Sequence, residues 1–335
     1  MSRPVAGRPV AVFTDTEDLD PRPGVRLLVD AGFEVRVAGT RDPDVLAETA
    51  RDADALIVGY ARIDAALLDR LPGVRILATM SAGYDMVDTE EARRRGLWVT
   101  NLPDVATEDV AVHALASALS LVRRLPQADA VVRAGGWNAE FVERGPLPRR
   151  ASELTLGLVG FGRIARTLAT LAAPVFGRLA AFDPHADPAH WPVGVQRYED
   201  LGELAAASDV LSLHVPLTPG THRLVDAALL ERMRPGGFLV NVARGELVDP
   251  EALLAALDSH HLAGAALDVL PVEPPPADDP LRRHPRIQLS PHSAFLSDTS
   301  RRGYVCRPAE NIVAWHRTGR PLTPVVDPTT AGAPV

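Results

Sequence analysis

GLVGFGRIAR, residues 157–166, reads as a buried strand that enters a glycine turn and then a helix. Gly160 would permit the tight turn. Gly162 would let a pyrophosphate reach the backbone at the helix N-terminus, where unpaired amides favour an anion. Ala165 takes the third, close-packed position, where a small residue is tolerated. A Gly-x-Gly turn alone is weak, since S-adenosylmethionine enzymes and plain loops also use it. Its context adds weight. Asp183 ends the next apolar run, RLAAFD (178–183), about twenty residues on, where a carboxylate can accept both ribose hydroxyls. Taken singly, Asp183 is a strand-end cap. Taken with the turn, it favours NAD over NADP, because a carboxylate repels a 2'-phosphate and no Arg follows directly in FDPHAD.

Outward from this stretch, six strands alternate mostly with helical segments: LTLGLVG (154–160), RLAAFD (178–183), DVLSLHV (209–215), GFLVNVA (237–243), LAGAALDV (262–269) and RIQLS (286–290). That is a complete doubly wound dinucleotide fold. It lies behind a first βα series, with strands VAVFT, FEVRVAG, DALIVG, RILATM and LWVTN between residues 9 and 101, which predicts a second parallel sheet. Long helical stretches from Thr107 and over 298–319 join the two series, and the Pro-rich tail beyond is expected to fray. The expected fold is α/β, a Rossmann-type cofactor domain (103–294) inserted into a smaller flavodoxin-like α/β substrate domain (1–102 with 295–335).

Composition removes several function classes. No lysine occurs, so Schiff-base, P-loop and Tyr-x-x-x-Lys chemistries are excluded together. A net charge of -8 with scattered arginines gives no nucleic-acid footprint. No apolar run approaches the roughly 20 residues that span a bilayer. The single Cys306 can form neither an internal disulfide nor a cysteine metal cluster. These features predict a cytoplasmic protein without membrane or nucleic-acid partners, and no metal.

Four polar residues fall just past the carboxyl ends of later strands, where such sheets bind ligands: Arg244, Asp268, Glu273 and His292. Each has a bland reading as a surface arginine, a turn former, a solvated acid and a helix cap. Together their types suit one task. Arginine offers a planar fork for a carboxylate. Histidine titrates near neutrality and can exchange a proton with a carbinol oxygen. A glutamate beside the imidazole would orient it and keep it charged as a donor.

The chain resembles the D-isomer-specific 2-hydroxyacid dehydrogenases over nearly its full length. The resemblance rests on SAGYDMVD, NLPDVATEDVAVHALA, LGLVGFGRIAR, PLTPGTHRLVD, NVARGELVD, AALDVLPVEPPP and SPHSAF, in family order. It is nearest to the bacterial branch that is phosphoglycerate-dehydrogenase-like or C-terminal-binding-protein-like. The resemblance implies NAD-dependent interconversion of a 2-oxo acid and a D-2-hydroxy acid, with Arg244, Glu273 and His292 catalytic. It implies that Gly160, Gly162, Arg163, Ile164, Asp183, Val215, Pro216, Thr221, Val242 and Ala243 line the cofactor, and that Asp268 holds the nicotinamide carboxamide. The amides of Ala82 and Gly83 would join Arg244 on the substrate carboxylate, and the protein would be a homodimer through the cofactor lobes. Val112, where relatives often carry an acid, and Ala165 depart from the pattern.

Two other readings remain. The first is an NAD(H)-sensing protein that acts through partners. The second is oxidation of a small anion: Glu273, where formate dehydrogenases carry Gln, argues against formate, and phosphite stays open. The adjacent His260 and His261 point apart, which opposes a metal site. Trp137 is read as a packing anchor in preference to a substrate wall, and Tyr60 and Arg62 serve equally well as surface or substrate-tail residues.

Overall fold

The computed structural model describes residues 7–330 except 17, 18, 188 and 190. The chain divides into two compact units, Met1–Val105 with Ser297–Val335, and Ala106–Leu296.

The first unit is built on strands β1 (Val10–Phe13), β2 (Glu34–Val37), β3 (Ala55–Val58), β4 (Ile76–Thr79) and β5 (Trp98–Thr100). They are parallel in the order β5-β4-β3-β1-β2, the flavodoxin-like order. The runs of β1, β3, β4 and β5 are continuous because both faces are covered, whereas the edge strand β2 alternates and is partly exposed. Val10 and Val12 pack with Leu56, Leu77 and Val99 on one face. Ala11 and Phe13 pack with Ile57, Ile76 and Ala78 on the other, beneath Val305, Ala309 and Ile312 of the helix Asp298–Thr318. That helix crosses the helix Arg22–Asp30 closely. A Cβ on Gly24 would stand 2.3 Å from the Val305 carbonyl oxygen, so only glycine fits there.

In the second unit, β6 (Thr155–Val159), β7 (Arg178–Phe182), β8 (Val195–Tyr198), β9 (Val210–Leu213), β10 (Gly237–Asn241), β11 (Leu262–Leu267) and β12 (Ile287–Leu289) form one parallel sheet. The order β12-β11-β10-β9-β6-β7-β8 is the doubly wound order with one added strand, and its winding reverses between β6 and β9. The helix Thr107–Arg123 lays Ala111, Ala114 and Ala118 into the same core as Ala165 and Leu168 of the helix Arg163–Ala172. Ala165 is fully buried, so its small side chain sets a close helix–sheet approach.

Two expectations are corrected. The sheet has seven strands and not six, because the edge strand β8 is short, partly exposed and carries a single aliphatic residue. The tail does not fray at once: β13 (Pro324–Val326) pairs antiparallel with β5, so the first sheet is mixed. Thr323 anchors the approach, donating to the Asn101 carbonyl at 2.6 Å. Residues 331–335 lie outside the described residues. No helix among those described is long and apolar enough to cross a membrane.

Candidate active site

The cofactor end is built at the winding reversal. Gly160 leaves β6 with φ +85°, and a Cβ there would stand 2.7 Å from the His214 carbonyl oxygen and 2.8 Å from Val215 Cγ1. Glycine is required twice, by the dihedral and by the approach of the β9 end. Gly162 precedes the helix that begins at Arg163 and Ile164, and no side chain caps that terminus. Its amides are therefore open to a partner such as a pyrophosphate, and even a Cβ added at Gly162 would meet no other atom within 4 Å. Asp183 Oδ2 accepts from the Phe161 amide at 2.8 Å, while Oδ1 accepts from His185 (2.9 Å) and Ala186 (3.1 Å). The carboxylate thus ties the glycine turn to the loop after β7. These features fit a dinucleotide. Thr221 knits the loop after β9, donating to the Pro216 carbonyl at 2.7 Å and accepting from the Thr218 amide at 2.8 Å.

The chemical end is stitched across three neighbouring strands. The Asp268 amide donates to the Asn241 carbonyl (2.9 Å), and the His292 amide donates to the Asp268 carbonyl (2.8 Å), so the ends of β10, β11 and β12 are linked in a row. Asn241 also clips the turn that carries Arg244. Its Oδ1 accepts from the Ala243 amide at 3.0 Å and its Nδ2 donates to the Arg244 carbonyl at 2.8 Å. Val242 packs at the edge of the core beneath this turn. Gly245 presses on the next loop: a Cβ there would stand 2.0 Å from the Leu270 carbonyl carbon. That approach brings the Arg244 turn against the loop carrying Glu273.

Glu273 Oε2 lies 2.7 Å from His292 Nδ1, and Oε1 accepts from the Leu270 amide at 2.8 Å. Burial pushes the Glu273 carboxyl up. The hydrogen bond and charge of His292, the Leu270 amide and the Arg244 charge outweigh it, and hold the group below the ordinary glutamate value. His292 sits in the left-handed region (φ 49°), a costly conformation that its surroundings enforce.

Asp268 is the enforcing residue. Its side chain is 2% exposed, and its Oδ1 accepts from Ser290 Oγ (2.5 Å) and the Ser293 amide (2.9 Å), with Oδ2 accepting from the Ala294 amide (2.9 Å). Three successive amides, 292 to 294, are thus anchored on one residue. His113 Nε2 lies 3.0 Å from the same Ser290 Oγ. Asn241, Ser290, Gly245 and His113 were missed by sequence reasoning. The available signal was a lone polar residue inside an apolar run, as in GFLVN and VAVHALA.

In the other unit, the loop after β4 is held by Ser81 Oγ donating to the Gly83 carbonyl (2.6 Å) and Asn101 Nδ2 donating to the Ala82 carbonyl (2.7 Å). These bonds use carbonyls and fix the loop that carries the Ala82 and Gly83 amides. Tyr60 lies under the Arg41 guanidinium, 4.8 Å from ring centre to Cζ, and the Arg62 side chain is largely exposed. His260 and His261 turn to different partners, Arg286 and the Leu230 carbonyl. Trp137 is 72% exposed and is no anchor of this chain's own core, a correction to its expected role.

The family model "D-isomer specific 2-hydroxyacid dehydrogenase, NAD binding domain" matches residues 115–294. The chain is similar to a glyoxylate reductase of Korarchaeum cryptofilum, with 38% identity over 82% of each chain. Among solved structures it is similar to an NADPH-dependent glyoxylate/hydroxypyruvate reductase of Sinorhizobium meliloti bound to NADP and malonate (33% identity, TM-score 0.84, covering 98% of this chain and 100% of that one). It is also similar to an NAD-dependent formate dehydrogenase of Staphylococcus aureus bound to NAD (27% identity, TM-score 0.84, covering 95% and 99%). The chain belongs to the D-isomer specific 2-hydroxyacid dehydrogenase family, and is an oxidoreductase that interconverts 2-oxo and 2-hydroxy acids with a nicotinamide cofactor.

Proposed function

We propose that the enzyme uses NADH in preference to NADPH to reduce a small 2-oxo acid of the glyoxylate or hydroxypyruvate class to its hydroxy acid, of D configuration where C2 is a stereocentre. A dihydronicotinamide, when bound, would supply the hydride for C2. Arg244 grips the substrate carboxylate and polarises the ketone; substrate binding is also assigned to the amides of Ala82 and Gly83. His292 gives a proton to the carbonyl oxygen as charge builds there, using Nε2 because Nδ1 is committed to Glu273. Glu273 aims the imidazole by holding its Nδ1.

The observation that carries this reading is the 2.7 Å Glu273–His292 pair with the Arg244 charge acting on the same carboxylate. Arg163, Ile164, Val215, Pro216, Thr221, Val242 and Ala243 are assigned to the cofactor, with Asp183 on the ribose. Asp268 is assigned to the carboxamide through the remaining acceptor capacity of Oδ2. Leu125, Val132, Trp137 and Leu147 form an exposed apolar series in the cofactor unit, which fits a homodimer contact. The lone buried Cys306 is in keeping with a cytoplasmic protein.

The test is NADH consumption with glyoxylate, hydroxypyruvate, pyruvate, phenylpyruvate, 2-oxoglutarate and phosphohydroxypyruvate. Turnover of a short 2-oxo acid with chiral hydroxy acid of D configuration supports the reading. NADH binding without turnover of any of them would instead favour a sensor.

A further inference from the structure

We propose that His113 is a positioning residue for His292, acting through Ser290 and Asp268. The inference rests on the reading of His292 as proton donor. His113 comes from the helix Thr107–Arg123, far in sequence from the strand ends that carry the chemistry. On the same helix face, Ser120 further along the helix donates to Gln288 of β12 at 2.6 Å, while His113 reaches the active-site loop.

Proton accounting fixes the direction of the network. Ser290 Oγ lies 2.5 Å from Asp268 Oδ1, and a carboxylate can only accept, so the single hydroxyl proton is committed to Asp268. Ser290 Oγ can then only accept from His113, 3.0 Å away, which requires a proton on His113 Nε2. The neutral ring is therefore the Nε2–H tautomer, and protonation at Nδ1 leaves the bond intact. The chain runs one way, from His113 to Ser290 to Asp268.

Its end point gives it a catalytic consequence. Asp268 is the residue that anchors the amides of His292, Ser293 and Ala294 and so holds His292 at φ 49°. Without the Ser290 hydroxyl, Oδ1 loses one of its two donors inside a site where the side chain is 2% exposed. The carboxylate can then recover a donor only by rearrangement, moving itself or drawing in His113 Nε2, which lies 3.7 Å from Oδ1, and the loop that it anchors moves with it. His113 is 27% exposed at its side chain, so it closes the network from the wetter side. A residue that holds Ser290 in its rotamer acts on the aim of His292 without touching substrate.

The experiment compares His113→Leu, His113→Gln and Ser290→Ala with the wild type. His113→Leu and Ser290→Ala should lower kcat by about 3–10-fold, the worth of a lost buried hydrogen bond. His113→Gln places an amide N–H near the former Nε2 and should recover kcat to within about twofold of wild type. Long-range proton–nitrogen correlation spectra of histidine-labelled enzyme should show His113 as the Nε2–H tautomer and a displaced His292 signal in Ser290→Ala. An Nδ1–H tautomer for His113 would overturn the proposal. So would wild-type kcat in His113→Leu, or equal kcat losses in the Leu and Gln variants accompanied by equal losses of Tm. The tautomer and the His292 signal are read without turnover. A wild type that reduces no 2-oxo acid would therefore defeat the proposed reaction and leave the network decided on its own terms.

Discussion

Glu273 and His292 meet side chain to side chain at 2.7 Å, across two loops that follow different strands. The glutamate is held below its ordinary value by the net effect of its neighbours and is ionised throughout the neutral range. The carboxylate holds the ring through Nδ1 and so aims Nε2 at the substrate oxygen. Because the carboxyl is held below its ordinary value, activity that depends on it should persist as pH falls to below the ordinary glutamate range. Glu273→Ala removes the bond to Nδ1, and kcat for reduction should fall by about tenfold or more with NADH affinity nearly constant. Wild-type kcat in Glu273→Ala would reject the role given to Glu273.

Cofactor choice is expected to follow Asp183. Its carboxylate sits between the glycine turn and the next loop, taking three amides, and brings a negative charge to the ribose position. Wild-type kcat/KM should favour NADH over NADPH by at least about tenfold. Asp183→Asn keeps one acceptor oxygen and loses the charge, so the ratio should narrow, chiefly through better use of NADPH. Equal efficiency of the wild type with both cofactors would contradict the assignment.

Gly245 tests how the Arg244 turn is seated. An added Cβ meets the Leu270 backbone at 2.0 Å, and neither loop can yield without moving Arg244 or Glu273. Gly245→Ala should cost about 1–3 kcal/mol of stability, as overpacking does, and lower kcat/KM in the enzyme that still folds. Chemical denaturation and steady-state kinetics on one preparation measure both. Unchanged values would show that the loops separate freely.

Much of this was legible in the sequence, and the gaps have physical causes. Apolar or alternating runs, most of them buried on both faces, revealed eleven of the thirteen strands among the described residues, because such Val-, Leu-, Ile- and Ala-rich runs separate cleanly from helical periodicity. The two that escaped, β8 and β13, are edge strands. Their half-exposed residues carry little hydrophobic pattern, and Pro324 argues locally against a strand. Arg244, Glu273 and His292 could be located because each chemical type follows a strand end. The supports could not. Asn241 acts through backbone bonds of a particular turn geometry, and Ser290 acts on the side chains of Asp268 and His113, the latter arriving from a helix 177 residues away in sequence.

The exposed Trp137 leads to a prediction on assembly. It stands 72% exposed in the same apolar series as Leu125, Val132 and Leu147. The protein should run as a dimer on sizing at micromolar concentration, and Trp137→Asp with Leu147→Asp should shift it toward the monomer. A wild-type monomer would remove the dimer assignment.

The most direct test of the whole account is single-turnover oxidation of enzyme-bound NADH by glyoxylate or hydroxypyruvate in the wild type and in His292→Ala. If His292 donates the proton, the variant should bind NADH with little change and transfer hydride roughly 10²–10⁴-fold more slowly, the usual effect of losing a general acid. A His292→Ala enzyme that turns over within a few-fold of wild type would contradict the mechanism.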